Sequence, residues 1–193
     1  MANLITLSRI IAVIIFVGVF TMNTSWNMIA ALCVFILAAL SDAVDGWVAR
    51  RFGEESRLGA ALDPIADKLL ITAALILLIG NGVISGPEVY AAIAIPFREI
   101  LVSGLREALA ADGAQMPVTR LAKAKTVAQS LAIALLIATA PSGLLSPQAA
   151  IIGDLTLWIA AGLTIWTGLV YVRFAVQELS PKPKVTDPQT PEG

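Results

Sequence analysis

Long apolar runs separated by short polar connections fill most of this 193-residue chain. As a helix, about 20 such residues cross the roughly 30 Å apolar core of a bilayer. The pattern therefore predicts an all-α, polytopic membrane protein with six transmembrane helices. We place these helices at about residues 4–21, 26–51, 59–81, 87–111, 119–140 and 147–178. Residues 1–178 would form one membrane domain, and the Pro-rich residues 179–193 a disordered cytoplasmic tail.

The basic residues predict the orientation of these helices. The connections near residues 23–27, 81–89 and 141–148 contain no Lys or Arg, whereas the other side of the predicted membrane carries all thirteen. Because cytoplasmic segments hold the excess of Lys and Arg, we expect both termini in the cytoplasm. The chain has no histidine, which excludes histidine-based triads and bases. A net charge of −1, with no basic and aromatic patch, gives no indication of nucleic-acid binding.

Four carboxylates interrupt the second and third apolar runs. Asp42 and Asp45 share a face of the second predicted helix, and Asp63 and Asp67 share a face of the third. Each ionised group near a bilayer centre costs about 2.5–3.5 kcal/mol on insertion scales, and divalent cations prefer carboxylate ligands. If the helices form a hairpin turning near residues 54–55, the four aspartates form a metal site that opens to the cytoplasm. The alternative, acids paired with nearby basic residues, would not require small residues on the same faces.

A second group of charged residues is basic and lies on the last three helices. Clustered Arg and Lys recognise phosphate, with Arg giving planar bidentate contacts. We therefore predict a phosphate site beside the carboxylates, formed by Arg98, Arg106, Arg120, Lys123, Lys125 and Arg173. The alternatives are membrane topology and attraction to anionic lipids, and for Arg98 a salt bridge to Glu99 or to one of the four aspartates.

The spacing of residues 42–67 matches a known signature. It reads Asp-x2-Asp-Gly-x2-Ala-Arg-x8-Gly-x3-Asp-x3-Asp and resembles that of the CDP-alcohol phosphotransferase family. Residues 3–9, 98–107 and 123–129 resemble segments of the members that make phosphatidylglycerophosphate, and Ala124 is the one departure noticed. The resemblance covers nearly the whole chain, from Asn3 to about Arg173.

This resemblance implies an activity and an assembly. Phosphatidyl would pass from CDP-diacylglycerol to sn-glycerol 3-phosphate, with release of CMP, at the cytoplasmic face of a bacterial inner membrane. Two divalent ions, Mg²⁺ or Mn²⁺, would be held by the four aspartates, with Asp67 as the general base. A homodimer is implied by the resemblance alone. The residues implied in binding the CDP-linked donor are Asp42, Asp45, Gly46, Ala49, Arg50, Gly59 and Asp63.

Two alternatives to this activity stay open at this point. A sister enzyme of the family would make cardiolipin, phosphatidylserine or a phosphatidylinositol phosphate from the same donor. A divalent-cation transporter would also need carboxylates in the membrane. The transporter is disfavoured because all four motif aspartates lie towards one side, with no matching polar track in the other half.

Overall fold

Six α-helices account for most of the described residues, which contain no strand. The computed structural model describes residues 2–52, 57–111, 113–114 and 120–179; within these, it does not describe the side chains of 2–7, 42–52, 57–64, 66, 67, 120 and 147. The helices are α1 (Ala2–Phe20), α2 (Asn27–Phe52), α3 (Arg57–Gly80), α4 (Glu88–Ala111), α5 (Arg120–Thr139) and α6 (Ala150–Leu179). A 3-10 turn, Pro147–Ala149, precedes α6. The predicted all-α fold with six helices is confirmed for this part of the chain.

Glycines in a left-handed conformation end two of the helices. After α3, Gly82 has a φ of 73°, and the N–H of Ile84 donates to the carbonyl of Leu78 at 3.1 Å. Gly113 follows α4 in the same way, with a φ of 76°. A residue without a Cβ adopts this conformation without strain, which closes the helix and satisfies its last carbonyls. Helix α4 packs against both α3 and α6.

The core lies where the helices meet in two groups. Helix α6 packs against α4 and α5, and α1 packs against α2 and α3, while α5 also contacts α2 and α3. Between α1 and α2, Phe16 stacks at a tilt against Phe20 and Phe35, with ring centroids 5.8 and 5.9 Å apart. The largest fully buried side chains are Phe16, Phe35, Leu75, Leu78, Ile84, Ile95, Leu109, Ile133, Leu136, Ile137, Leu157 and Thr164.

Large apolar side chains also cover the outside of the described helices. Tyr90 and Phe97 on α4 are 75% and 71% exposed, while Arg98 and Lys125 are buried. Soluble proteins rarely expose large contiguous apolar surfaces, and they almost never bury Lys or Arg fully without a partner. This inverted distribution indicates association with a membrane.

Within the part of the chain that the structure describes, two helices are long and apolar enough to cross a membrane by length and composition, within Leu121–Thr139 and Ala150–Leu179. Shorter apolar segments lie at Ser8–Phe20, Asn27–Ser41 and Lys68–Gly80. The predicted tail lies outside the described residues except for Leu179, which ends α6. The predicted turn at residues 54–55 also lies outside them.

Candidate active site

A cavity of about 560 Å³ lies among the helices, and all six contribute side chains to its lining. The described lining is basic at both its buried and its exposed parts. Arg98 and Lys125 are buried in the wall, whereas Arg106 and Lys123 are exposed. The basic residues in the lining are Arg9, Lys68, Arg98, Arg106, Lys123 and Lys125. Among the described lining residues, Glu99 is the single carboxylate, so the cavity favours anionic ligands.

Glu99 on α4 joins two helices at the buried part of this cavity. Its Oε1 atom accepts hydrogen bonds from Arg98 Nη1 at 3.2 Å and from Gln129 Nε2 at 3.4 Å. The same oxygen pairs with Lys125 Nζ on α5. A buried carboxylate with three donors, two of them cationic, offsets part of the cost of burying all of these groups. This contact fixes the two basic side chains at the wall of the cavity.

Arg98 also rests against α6. Its Nη2 atom donates to Thr167 Oγ1 at 2.9 Å, and its guanidinium carbon lies 5.5 Å from the centre of the Tyr171 ring. A cation over an aromatic face is stabilised by the ring quadrupole. Gly168 leaves the space that the Arg98 side chain occupies, because a Cβ there would lie 2.8 Å from Arg98 Cγ. The salt bridge to Glu99, one of the alternatives for Arg98, is present, and Arg98 lines the cavity as well.

The residues of the predicted phosphate site fall into three groups. Arg98, Arg106, Lys123 and Lys125 come together in the cavity lining. Arg173 is exposed and is not part of that lining. The side chain of Arg120, the first residue of α5, lies outside the described side chains.

Two basic residues of the lining were missing from the prediction. Arg9 comes from α1 and Lys68 from α3. Both stand in segments that the family resemblance singled out, Arg9 at the end of residues 3–9 and Lys68 directly after Asp67. Their positions at these motifs could have indicated a role in the site. The sequence carried no information, however, on how α1 packs against the other helices.

The predicted metal ligands and donor-binding residues lie outside the described side chains. Their backbone is helical, since α2 runs to Phe52 and α3 starts at Arg57. The described lining approaches these positions along the chain, with Ala39 three residues before Asp42 and Lys68 next to Asp67. Among the described side chains, no three acidic, Cys or His residues are grouped to hold a metal.

Comparisons with known proteins cover nearly the whole chain. A family model described as CDP-alcohol phosphatidyltransferase matches residues 1–166. A Pseudomonas fluorescens protein named CDP-diacylglycerol--glycerol-3-phosphate 3-phosphatidyltransferase is 41% identical over 179 residues, covering 90% of this chain and 88% of that protein. A protein of the same name from Rickettsia felis is 38% identical over 172 residues, covering 89% and 92%. An Arabidopsis thaliana protein with this name, numbered 2, is 37% identical over 182 residues, covering 89% and 77%.

Proposed function

Because the chain belongs to the CDP-alcohol phosphatidyltransferase family, whose model spans residues 1–166, we propose that it transfers phosphatidyl from CDP-diacylglycerol to sn-glycerol 3-phosphate. The products are phosphatidylglycerophosphate and CMP. Relatives 37–41% identical over most of the chain are named for this reaction. The observation in the structure that supports it is the basic cavity, which reaches the helices that carry the aspartate motif.

Both substrates carry phosphate, and the charge of the cavity suits them. Six basic side chains and one carboxylate in the described lining give a strongly positive site. Partly buried charges are screened by salt much less than exposed ones. The phosphate of the acceptor would bind among Arg98, Arg106, Arg120, Lys123, Lys125 and Arg173. Lys68, next to Asp67 on α3 and in the lining of the cavity, would contact a phosphate of the donor.

The donor set of the motif fits a divalent metal. Asp42 and Asp45 lie one turn apart on α2, as Asp63 and Asp67 do on α3, and all four are oxygen ligands of the kind that Mg²⁺ and Mn²⁺ prefer. These residues would hold two ions, whose charge would stabilise the oxygens that attack and leave phosphorus. Removal of divalent cations with a chelator should therefore abolish turnover.

The chain's own residues would align the acceptor and move its proton. The basic side chains bind the phosphate of glycerol 3-phosphate, so its free hydroxyl is held next to the donor rather than diffusing to it. Asp67 takes the proton of the C1 hydroxyl as general base. The new bond joins this oxygen to the phosphorus that carries the lipid, and the bond from that phosphorus to CMP breaks. Gly46, Ala49 and Gly59 would let the nucleotide approach the backbone, and Arg50 would pair with a phosphate.

The exposed apolar faces of the helices support a reaction that takes place at a bilayer. All six helices would cross the bacterial inner membrane, with both termini and the cavity on the cytoplasmic side, as the distribution of Lys and Arg predicts. The acyl chains of the donor would stay among the membrane lipids while its head group enters the cavity. A homodimer stays a prediction from the family resemblance.

The test is CMP release by the purified full chain in detergent with CDP-diacylglycerol and Mg²⁺. We expect release with sn-glycerol 3-phosphate, and none with serine, inositol phosphate or phosphatidylglycerol. Asp67→Asn serves as the inactive control and should lose turnover while it still binds the donor. Release with another acceptor would identify a sister enzyme and overturn the proposed acceptor. No release with any acceptor, from folded and metal-loaded protein, would overturn the enzyme.

A further inference from the structure

Glu99 occupies a special place in the described lining of the cavity. Its side chain is 16% exposed, and its Oε1 atom meets donors from two helices, α4 and α5. Lys125, one of these donors, is only 6% exposed although it carries an ammonium group. The carboxylate therefore lies at the junction of the helices that supply most of the basic lining.

A third helix holds this junction in place. Gln129 Nε2, which donates to Glu99, also donates to Thr164 Oγ1 on α6 at 2.8 Å. Thr164 is fully buried, and its hydroxyl donates in turn to the carbonyl of Ala160 at 2.6 Å. One oxygen of Glu99 is thus connected to α4, α5 and α6 through hydrogen bonds between buried or half-buried groups. Such a network restricts the rotamers of all its members.

We propose that Glu99 is a positioning residue for the phosphate of the acceptor. It holds Lys125 and Arg98 at the wall of the cavity, where their remaining N–H groups bind the phosphate. An ammonium has three donors and a guanidinium five, so both keep donors after their contact with Glu99. This inference rests on the proposed function for the identity of the ligand, but the contacts that carry it do not depend on turnover.

Two physical effects of Glu99 oppose each other. By Coulomb's law alone, a carboxylate beside a phosphate site repels the ligand, and its removal would tighten binding. The burial of the two cations decides whether removal of Glu99 strengthens or weakens phosphate binding. Lys125 and Arg98 are each 6% exposed. Without a counter-ion a buried lysine gives up its proton or moves towards water, and a buried arginine, which keeps its proton, moves towards water. In both cases the cavity loses a fixed cation, so removal of Glu99 weakens phosphate binding.

The experiment is a calorimetric titration of the purified full chain in detergent with sn-glycerol 3-phosphate. We expect Glu99→Gln to raise the Kd by about tenfold or more. Glu107→Gln is the matched control, because it removes the same charge from an exposed position on α4 outside the described lining. In a Lys125→Met background, Glu99→Gln should raise the Kd by a smaller factor than in the wild-type chain, since residues in one network are not additive. The KM for CDP-diacylglycerol should stay unchanged, which a general loss of structure would not allow.

Several results would overturn this role. An unchanged or lower Kd for Glu99→Gln contradicts it, and so do equal effects of Glu107→Gln or full additivity with Lys125→Met. If Glu99→Gln does not fold, Lys125→Met and Arg98→Met decide together, because wild-type affinity in both variants leaves Glu99 no phosphate-binding cation to position. Absence of binding to the wild-type chain also overturns it. Suppose that the wild-type chain binds glycerol 3-phosphate and that Glu99→Gln weakens this binding, but that the wild-type chain releases no CMP. This result would overturn the proposed reaction and leave this inference standing.

Discussion

At the scale of single residues, Arg98 fits its site because α6 carries no side chain at residue 168. A Cβ at that position would lie 2.8 Å from Cγ and 3.1 Å from Nε of Arg98. Both distances are shorter than ordinary van der Waals contact, so the guanidinium would have to leave its place over Tyr171 and beside Thr167. The glycine is thus part of the proposed phosphate site although it has no functional group.

We expect Gly168→Ala to raise the KM for glycerol 3-phosphate several-fold, with little change in the KM for CDP-diacylglycerol. The displaced Arg98 would no longer present its N–H groups in the same orientation to the cavity. Steady-state CMP release at varied acceptor concentration measures this. Gly162→Ala is the control, because a Cβ there would meet nothing within 4 Å on the same helix. Equal KM values for the two variants would contradict the role given to Gly168.

At this scale the sequence identified most of the basic residues that line the cavity, but not which of them are held by Glu99. The charges of Arg98 and Lys125 could be assigned to one phosphate site because only residue type and helix spacing were needed. The salt bridge from Arg98 to Glu99 was one of the alternatives, but the contacts of Glu99 with Lys125 and Gln129 could not be predicted. Its contacts depend on how α4 and α5 are rotated, which is a property of packing.

At the scale of helices, the contact between α5 and α6 depends on a second small residue. Gly153 on α6 is buried, and a Cβ there would lie 2.9 Å from Cδ2 and 3.1 Å from Cγ of Leu136 on α5. Leu136 belongs to the core, and neither residue is in the described lining of the cavity. Close approach at small residues is a common basis of helix association in membranes.

Gly153→Ala should therefore lower stability without changing substrate affinity. Overpacking of this kind costs about 1–3 kcal/mol, which we expect as a lower Tm of the protein in detergent. Gly18→Ala, at a position where a Cβ would have no neighbour within 4 Å, should leave the Tm close to that of the wild type. A changed KM for either substrate in Gly153→Ala, with an unchanged Tm, would mean that α6 transmits strain to the cavity instead.

The limits of the helices could be predicted closely, because apolar runs and turn residues are local signals. The largest difference is at the start of α6, predicted at residue 147 and observed at Ala150 after a 3-10 turn. The packing partners of each helix could not be predicted in this way. Helix α1 packs against both α2 and α3, and this arrangement brings Arg9 to the cavity from a position far away in the sequence.

At the scale of the whole molecule, the outward apolar surface requires a lipid environment. The chain has one cysteine, Cys33, which is exposed on α2. It lies about 9 Å along the helix from Asn27, at 1.5 Å per residue. On the proposed topology its thiol faces acyl chains, where a membrane-impermeant maleimide does not reach it.

Labelling with a membrane-impermeant maleimide should reveal the orientation. In intact spheroplasts we expect no labelling of the wild type at Cys33, and labelling only after denaturation. Ser85→Cys, in the exposed turn between α3 and α4, should react from outside the cell. Glu178→Cys, near the end of α6, should react only after the inner membrane is permeabilised. The reverse order for the two variants, or reaction of Cys33 in intact membranes, would contradict the topology.

The ion pair between Arg98 and Glu99 matters before the protein is complete. Synthesis runs from the N-terminus, so on the proposed topology α4 would enter the bilayer while Lys125, Thr167 and Tyr171 have not yet been made. A lone arginine in a membrane helix is costly, but Glu99 lies 3.2 Å from it within the same helix. On that topology the translocon would receive a segment in which Arg98 already has its counter-ion. The counter-ion that this buried arginine needs for insertion is encoded by the next codon.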